Sequence, residues 1–506
     1  MKKIGFLFGA GAEFGYDMPS GGKFALDIFR QDTTDSKKEF KTMRENIDAM
    51  TKYANDFLPD DYISKNIGSF GRTVFENIIK DTIEHNKENI IRNVNSIDDI
   101  SERIEKDISY KGINLEKTIL DLSGKELNNL NMGQVIKFSE ELSDGNNLFK
   151  SKYFSALLYI YKKKDALDEN GKKHLGKIII AILQLQIGAL SEKLARKIND
   201  SPFEKKDDDI DLFDDLGEIL QLNYSGSGLM GLEYLLDNKK ADTNNPQGII
   251  LYFAQELLER IFSFVLDYKT LIDSNWHYLY CPKVEWGKFC KISIFLITVK
   301  NYIEKQCTNI NEEKIGYYDE LLKAVDEYKL EISVVVTTNY TELIKNKLKR
   351  NIIYLNGATD KWYDPYINEI GSKEELNSKE KHFIVPLLFT QSGTKPMTSI
   401  QMTQEYMKAY NELRDSDLIC SVGFGFNPDD EHINGIIRFL IKNGKTLVVI
   451  KNNINKTEQQ EIEYIRERLK ITDKDKVKVI LVDKERTDQG VSWIDRLLKV
   501  SSNIST

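Results

Sequence analysis

Two spacings of apolar residues alternate along this chain, and each predicts a different kind of element. Residues 4 to 8 form a short uninterrupted apolar run, followed by Gly9-Ala10-Gly11 and then by inward-facing positions at Phe24, Leu26 or Ile28, and Phe29. That is the pattern of a buried strand, a tight turn and an amphipathic helix. From about 35 to 328 the apolar positions recur at three- and four-residue intervals, as in "FENIIKDTIEHNKENIIRNV", "KIIIAILQLQIGALSEKLARKI" and "IILYFAQELLERIFSFVLDY", so this stretch reads as helix. Its breaks fall at Pro59, Ser201-Pro202, 225–228 and Asn245-Pro246, and the acidic run 204–216 reads as a solvated loop entering a helix.

Near residue 331 the first spacing returns. "ISVVVTTNY" (332–340) is a β-branched run, followed by a helix over 341–349, a strand ending "IIYLNG" and the apolar run "HFIVPLLF". A helix near 403–413, a strand "DLICSVGFGF", a helix from about 430, a strand "TLVVI", a further helix, a strand "VKVILVD" and the helix "VSWIDRLLKV" complete the chain. Strands alternating with helices predict an α/β fold with a parallel sheet covered on both sides. A lone N-terminal strand would leave its backbone groups unpaired, so it is expected to join the strands after 331. The helical block then becomes an insertion. The expected organisation is a discontinuous domain of residues 1–30 and 331–506, interrupted by a helical, regulatory or oligomerisation domain over 31–330.

Composition narrows the class. Of 506 residues, 41% are hydrophobic and 30% charged, which is ordinary for a globular chain, and a net charge of −8 disfavours nucleic acid as the main partner. The four cysteines include no C-x-x-C pair, so no structural zinc ribbon is expected, and no metal is. No apolar run approaches the ~20 residues of a membrane span, and the N-terminal apolar stretch is too short for a secretory signal. A cytoplasmic protein is expected.

In an open parallel sheet, ligands gather beyond the carboxyl ends of the strands. Four loops fall there: Gly9-Ala10-Gly11-Ala12-Glu13, Thr337-Thr338-Asn339-Tyr340, Leu355-Asn356-Gly357-Ala358 and Gly423-Phe424-Gly425-Phe426-Asn427. The first would let backbone amides approach a pyrophosphate with a helix behind it. Of the five histidines, His85, His174 and His277 fall in the helical block and read as surface or core, while His382 opens a strand and reads as structural. Phe14, Tyr16 and Phe24 could stack on a base, with core packing expected for two of them. The polar stretch 388–397 follows a strand and could form a rim.

The blocks "FGAGAEFGYDMPSG", "VVTTNY", "YLNG" and "GFGFNPDDEHINGII" resemble, in order, the four signature blocks of the sirtuin-like superfamily, most closely its bacterial anti-phage defence members. The resemblance covers about 1–30 and 331–485. It implies a Rossmann-like sheet that binds NAD as substrate, and cleavage of NAD to nicotinamide and ADP-ribose. It places Gly9, Ala10, Gly11 and Ala12 at the phosphates, with Thr337, Thr338, Gly357, Gly423, Phe424 and Gly425 completing the nucleotide site. Asn339 matches the asparagine that holds the nicotinamide ribose and the attacking water. Glu13 stands where serine is common and Thr341 where aspartate is. Asn356 occupies the slot of the usual catalytic histidine. The paired cysteines of the deacetylase zinc module are missing, which disfavours a deacetylase.

Nicotinamide leaves as a neutral ring, so the site must chiefly hold the ribose, stabilise an oxocarbenium-like centre and admit water. Candidates are Asn339 for ribose and water, Glu13 or Asp360 for positive charge, Asn356 by position, and His432 as a replacement base. Expected partners are a second copy of the chain and a phage-derived trigger or operon-encoded protein. Alternatives are a non-catalytic sensor that binds NAD, ADP-ribose or a related signal, and ADP-ribosyl transfer.

Overall fold

The computed structural model describes residues 2–503 except 132–146, 191–227, 389–398 and 453–456, scattered positions within 72–86 and 264–268, and residues 20, 110, 111, 312, 379 and 474. His85, the acidic run 204–216 and all but the first residue of the stretch 388–397 lie outside the described residues.

The fold is α/β. Six strands form one parallel sheet: β1 (Lys3–Phe8), β2 (Glu331–Thr337), β3 (Ile353–Tyr354), β7 (Leu418–Val422), β8 (Leu447–Asn452) and β9 (Val477–Val482). Their order is β3-β2-β1-β7-β8-β9. The N-terminal strand therefore lies in the middle of the sheet, with Phe8 level with Thr337 on one side and Val422 on the other. Order reverses between β1 and β7, which makes the carboxyl end of β1 the switch point of a doubly wound sheet.

Period-two alternation along β1 sorts its side chains between the two faces. Ile4, Phe6 and Phe8 join a core with Tyr317, Tyr318, Leu321, Ile344, Trp493 and Leu497. Leu7 joins the other, with Ala409, Leu413, Ile433, Ile437 and Ile465. Helices Tyr317–Asp326, Leu343–Leu348 and Trp493–Ser502 thus cover one face, and Ile400–Asp415, Glu431–Lys442 and Glu458–Leu469 the other.

The run "HFIVPLLF" does not enter the parallel sheet. Its strand β6 (Val385–Leu388) pairs antiparallel with β4 (Gly357–Asp364), which also pairs with β5 (Glu369–Gly371) in a separate three-stranded sheet. Pro386 explains the placement: a residue without an N–H fits an edge strand such as β6 and not the interior of a parallel ladder. A further hairpin pairs β10 (Thr487–Asp488) with β11 (Val491–Ser492).

The chain forms two compact units. The first holds residues 1–20, 31–70 and 269–506 and includes the sheets. Residues 31–70 and 269–330 therefore belong with the sheets, although the spacing places them in the helical block. The second unit holds 21–30 and 71–268, and contains no strand among its described residues. Helix Gly21–Phe29 packs there, with Phe24, Leu26, Ile28 and Phe29 buried as the pattern predicts. The Arg30 guanidinium donates twice to the Leu235 carbonyl, and His174 meets the Tyr234 hydroxyl at 3.2 Å, a packing role. No described helix is long and apolar enough to cross a membrane.

Candidate functional site

All four loops gather at the carboxyl end of the parallel sheet. The first two are joined through their backbones where Thr338 N donates to the Phe8 carbonyl at 3.0 Å, and the second is turned on itself by Asn339 N donating to Thr337 Oγ1 at 3.1 Å. Asn339 Nδ2 then donates to the Gly9 carbonyl at 3.1 Å and to the Tyr318 hydroxyl at 3.4 Å. Asn339 is 7% exposed and Glu13 4%.

Glu13 lies at the centre of this network. Its Oε1 accepts from Thr341 Oγ1 at 2.6 Å and from the Tyr318 hydroxyl at 3.1 Å. Burial raises its carboxyl above the usual range, outweighing the hydrogen bonds from Thr341, Tyr318 and Asn339 that favour the charged form. Burial, followed by the neighbouring Glu13 charge, likewise raises the Tyr318 phenol.

Tyr318 carries none of the resemblance, and it is the main participant that pattern reading does not single out. It is the second residue of helix Tyr317–Asp326, and its ring is stacked on Tyr16 at 5.4 Å and set edge-on to Phe8 at 5.1 Å. The only sequence signal was a helical spacing that buries Tyr318 with Leu321, which any core tyrosine would share. Tyr16 is fully buried and donates to Asp319 Oδ2 at 2.8 Å, Phe24 is buried, and Phe14 is 43% exposed.

The glycine turn is shaped by close backbone packing. Gly9 N donates to the Val422 carbonyl at 2.9 Å, Gly11 N to the Gly423 carbonyl at 3.0 Å, and Ala12 N to the Gly9 carbonyl at 3.0 Å. A Cβ on Gly9 would lie 2.6 Å from Phe424 Cα, and one on Gly423 would lie 2.2 Å from Ala12 N, at a φ of +68°. These glycines let two chain reversals touch, and three amides expected to face a pyrophosphate are bonded within the chain. The turn continues as a seven-residue 3₁₀ segment, Ala10–Tyr16, and the amphipathic helix follows from Gly21. Ala10 is exposed. Phe424 is buried edge-on to Phe426 at 4.9 Å, beside Gly425.

The remaining candidates surround this centre. Asn356 is 1% exposed and donates from Nδ2 to the Thr338 carbonyl at 3.1 Å, which ties the third loop to the second. The left-handed residue of that turn is Gly357, at φ +82°, rather than Asn356. Asp360 lies in β4 with Oδ2 3.2 Å from Lys345 Nζ, so its charge is already paired. His432, in helix Glu431–Lys442, meets the Tyr406 ring edge-on at 5.8 Å, and Tyr406 donates to the Leu355 carbonyl at 2.7 Å, next to Asn356. His432 therefore packs against the third loop's support, whereas the direct bonds of Glu13 run to Tyr318 and Thr341. His382 is structural: buried, its Nδ1 2.6 Å from Asp364 Oδ2 and its ring stacked on Tyr53 at 4.0 Å. A cleft of about 830 Å³ opens elsewhere in this unit, beside helix Thr34–Glu45 and Lys373–His382, and takes no residue from the four loops. No cluster of three metal-ligating side chains occurs among the described residues.

No protein-family model matches the chain, and no curated protein matches it.

Proposed function

We propose that this chain is a sirtuin-like NAD+ hydrolase whose Rossmann-like domain is interrupted by a helical insertion. It cleaves the bond between nicotinamide and ribose to release nicotinamide and ADP-ribose. The reading is supported above all by one observation: Asn339 donates to the Gly9 carbonyl at the switch point of the sheet, within one network that also contains Glu13. An amide and a carboxyl side by side at that position suit a sugar, one group for its hydroxyls and one for positive charge.

In this scheme Asn339 orients the ribose and the water, and the Glu13 carboxylate stabilises the charge that develops at C1′ as the glycosidic electron pair leaves with nicotinamide. Water adds to C1′ and gives up its proton to His432, which replaces the histidine that Asn356 displaces. Glycine-rich turns at Gly9–Ala12 and Gly423–Gly425 border the phosphates and the adenosine. Such an enzyme would deplete NAD in the cytoplasm as an effector of anti-phage defence, held inactive until a phage component or partner protein, or self-association, triggers it.

The test is nicotinamide release by purified protein, at high concentration and with lysate from infected cells, for the wild type and Asn339→Ala. Release that Asn339→Ala leaves unchanged would sink the site assignment. The second reading, a sensor that binds ADP-ribose or a related nucleotide without cleaving it, is favoured by Asn356 in the histidine slot and by the internal bonds of the Gly9, Gly11 and Ala12 amides. Saturable ADP-ribose binding with no nicotinamide release under any activator would select it.

A further inference from the structure

We infer that Tyr318 is a latch that occupies the sugar site from within. The inference rests on the NAD reading of that site and adds its mode of regulation. The Tyr318 hydroxyl donates to Glu13 Oε1 at 3.1 Å and accepts from Asn339 Nδ2 at 3.4 Å. Donation to a carboxyl together with acceptance from an amide is what a ribose hydroxyl would offer the same two side chains. The phenol therefore competes with the sugar for one donor and one acceptor, and its ring, fully buried on Tyr16 and Phe8, fills the space beside them.

The latch belongs to an element that can carry it away as a unit. Tyr318 sits in the first turn of helix Tyr317–Asp326, and polar contacts hold that helix to the rest of its unit. Asp319 accepts from Tyr16 at 2.8 Å and from Lys347 at 2.8 Å. Glu320 accepts from Arg486 at 2.8 and 3.0 Å and from the Trp493 indole at 2.7 Å. The helix is thus fastened by charged hydrogen bonds at partly exposed positions, and not by its apolar face alone. A trigger that competes for Asp319 or Glu320 would loosen the helix and withdraw the phenol. Withdrawal frees Glu13 and Asn339 together, so the site would switch as one step.

The experiment measures binding of ADP-ribose by calorimetry and release of nicotinamide from NAD, without activator, for wild type, Tyr318→Phe and Tyr318→Ala, with thermal melts to confirm folding. A latch predicts that Tyr318→Phe, which keeps the ring and loses both hydrogen bonds, tightens ADP-ribose binding by about tenfold. Tyr318→Ala, which also clears the space, should do so by more and should raise basal nicotinamide release, and adding Asn339→Ala should abolish that release. Folded Tyr318 variants that bind ADP-ribose no better than the wild type overturn the latch; the NAD reading then stands if wild-type release still depends on Asn339. A total lack of ADP-ribose binding in all three proteins overturns the NAD reading and the latch with it.

Discussion

The Asn339 side chain donates to the Gly9 carbonyl across 3.1 Å, although 330 positions separate the two residues in the chain. The contact exists because β1 and β2 are adjacent and in register, with Phe8 opposite Thr337. Replacing Asn339 by alanine leaves that carbonyl with the Ala12 N–H alone and takes from the Tyr318 hydroxyl the hydrogen bond it accepts. The expected outcome is a loss of about 1–3 kcal/mol in folding stability, read by urea melts, together with loss of nicotinamide release.

Gly9 and Gly423 form a second long-range pair, and here the backbones themselves are in contact. Alanine at Gly423 would meet Ala12 N at 2.2 Å from a left-handed backbone, so neither atom can give way cheaply. Gly423→Ala should destabilise by about 2–4 kcal/mol, and Gly9→Ala, which collides with Phe424 Cα, by a comparable amount. Thermal melts of the two single variants and the double variant test this, and the double should cost less than the sum because parting the two turns to seat one methyl also makes room for the other.

Glu13 makes stability depend on pH in a set direction. Burial raises its folded-state pKa above the ordinary value of 4.5, so the folded protein holds the proton more tightly than the unfolded chain. The stability this provides is complete below the unfolded-state value and is lost as pH rises through the folded one. Glu13→Gln should therefore match the wild type in acid, exceed it at higher pH, and flatten the curve of melting temperature against pH. Nicotinamide release by the wild type should rise over that same window as the carboxylate forms, and the variant should show no such rise.

His382 and Asp364 are predicted to contribute to folding and not to turnover. Asp364 is fully buried, bonded to His382 Nδ1 at 2.6 Å and to the backbone N–H of Tyr366 at 2.9 Å. Removing one member strands the other in the interior. Asp364→Ala should cost about 3–5 kcal/mol, and a double-mutant cycle with His382→Ala should show strong coupling. Where either variant remains folded, nicotinamide release per folded molecule should be unchanged.

His432 is expected to affect rate alone. It packs on Tyr406, whose hydroxyl holds the Leu355 carbonyl, so His432→Phe keeps an aromatic edge on that ring and removes the proposed base. Nicotinamide release should fall by about 10²–10⁴-fold with melting temperature little changed.

Much of the fold follows from local pattern. Short runs rich in apolar and β-branched residues, too short for a helix and bounded by polar or turn residues, read as strands, so β1, β2, β7, β8 and β9 were legible, as were the helices between them. That β1 joins the later strands also followed, since an unpaired strand would leave its backbone unsatisfied. The candidate site was legible only where chemistry and turn signals coincided, at Gly9–Glu13, Asn339 and Asn356. Three features were decided by the tertiary structure. Pro386 sends its strand to the edge of a second sheet, because it lacks the N–H that an interior ladder requires. Residues 31–70 and 269–330 pack with the sheets, because the apolar stripe of a helix states that a face is buried and not what buries it. The Tyr318 hydroxyl meets Glu13 and Asn339 because three elements far apart in the chain converge at the end of β1, and no local spacing records such a convergence.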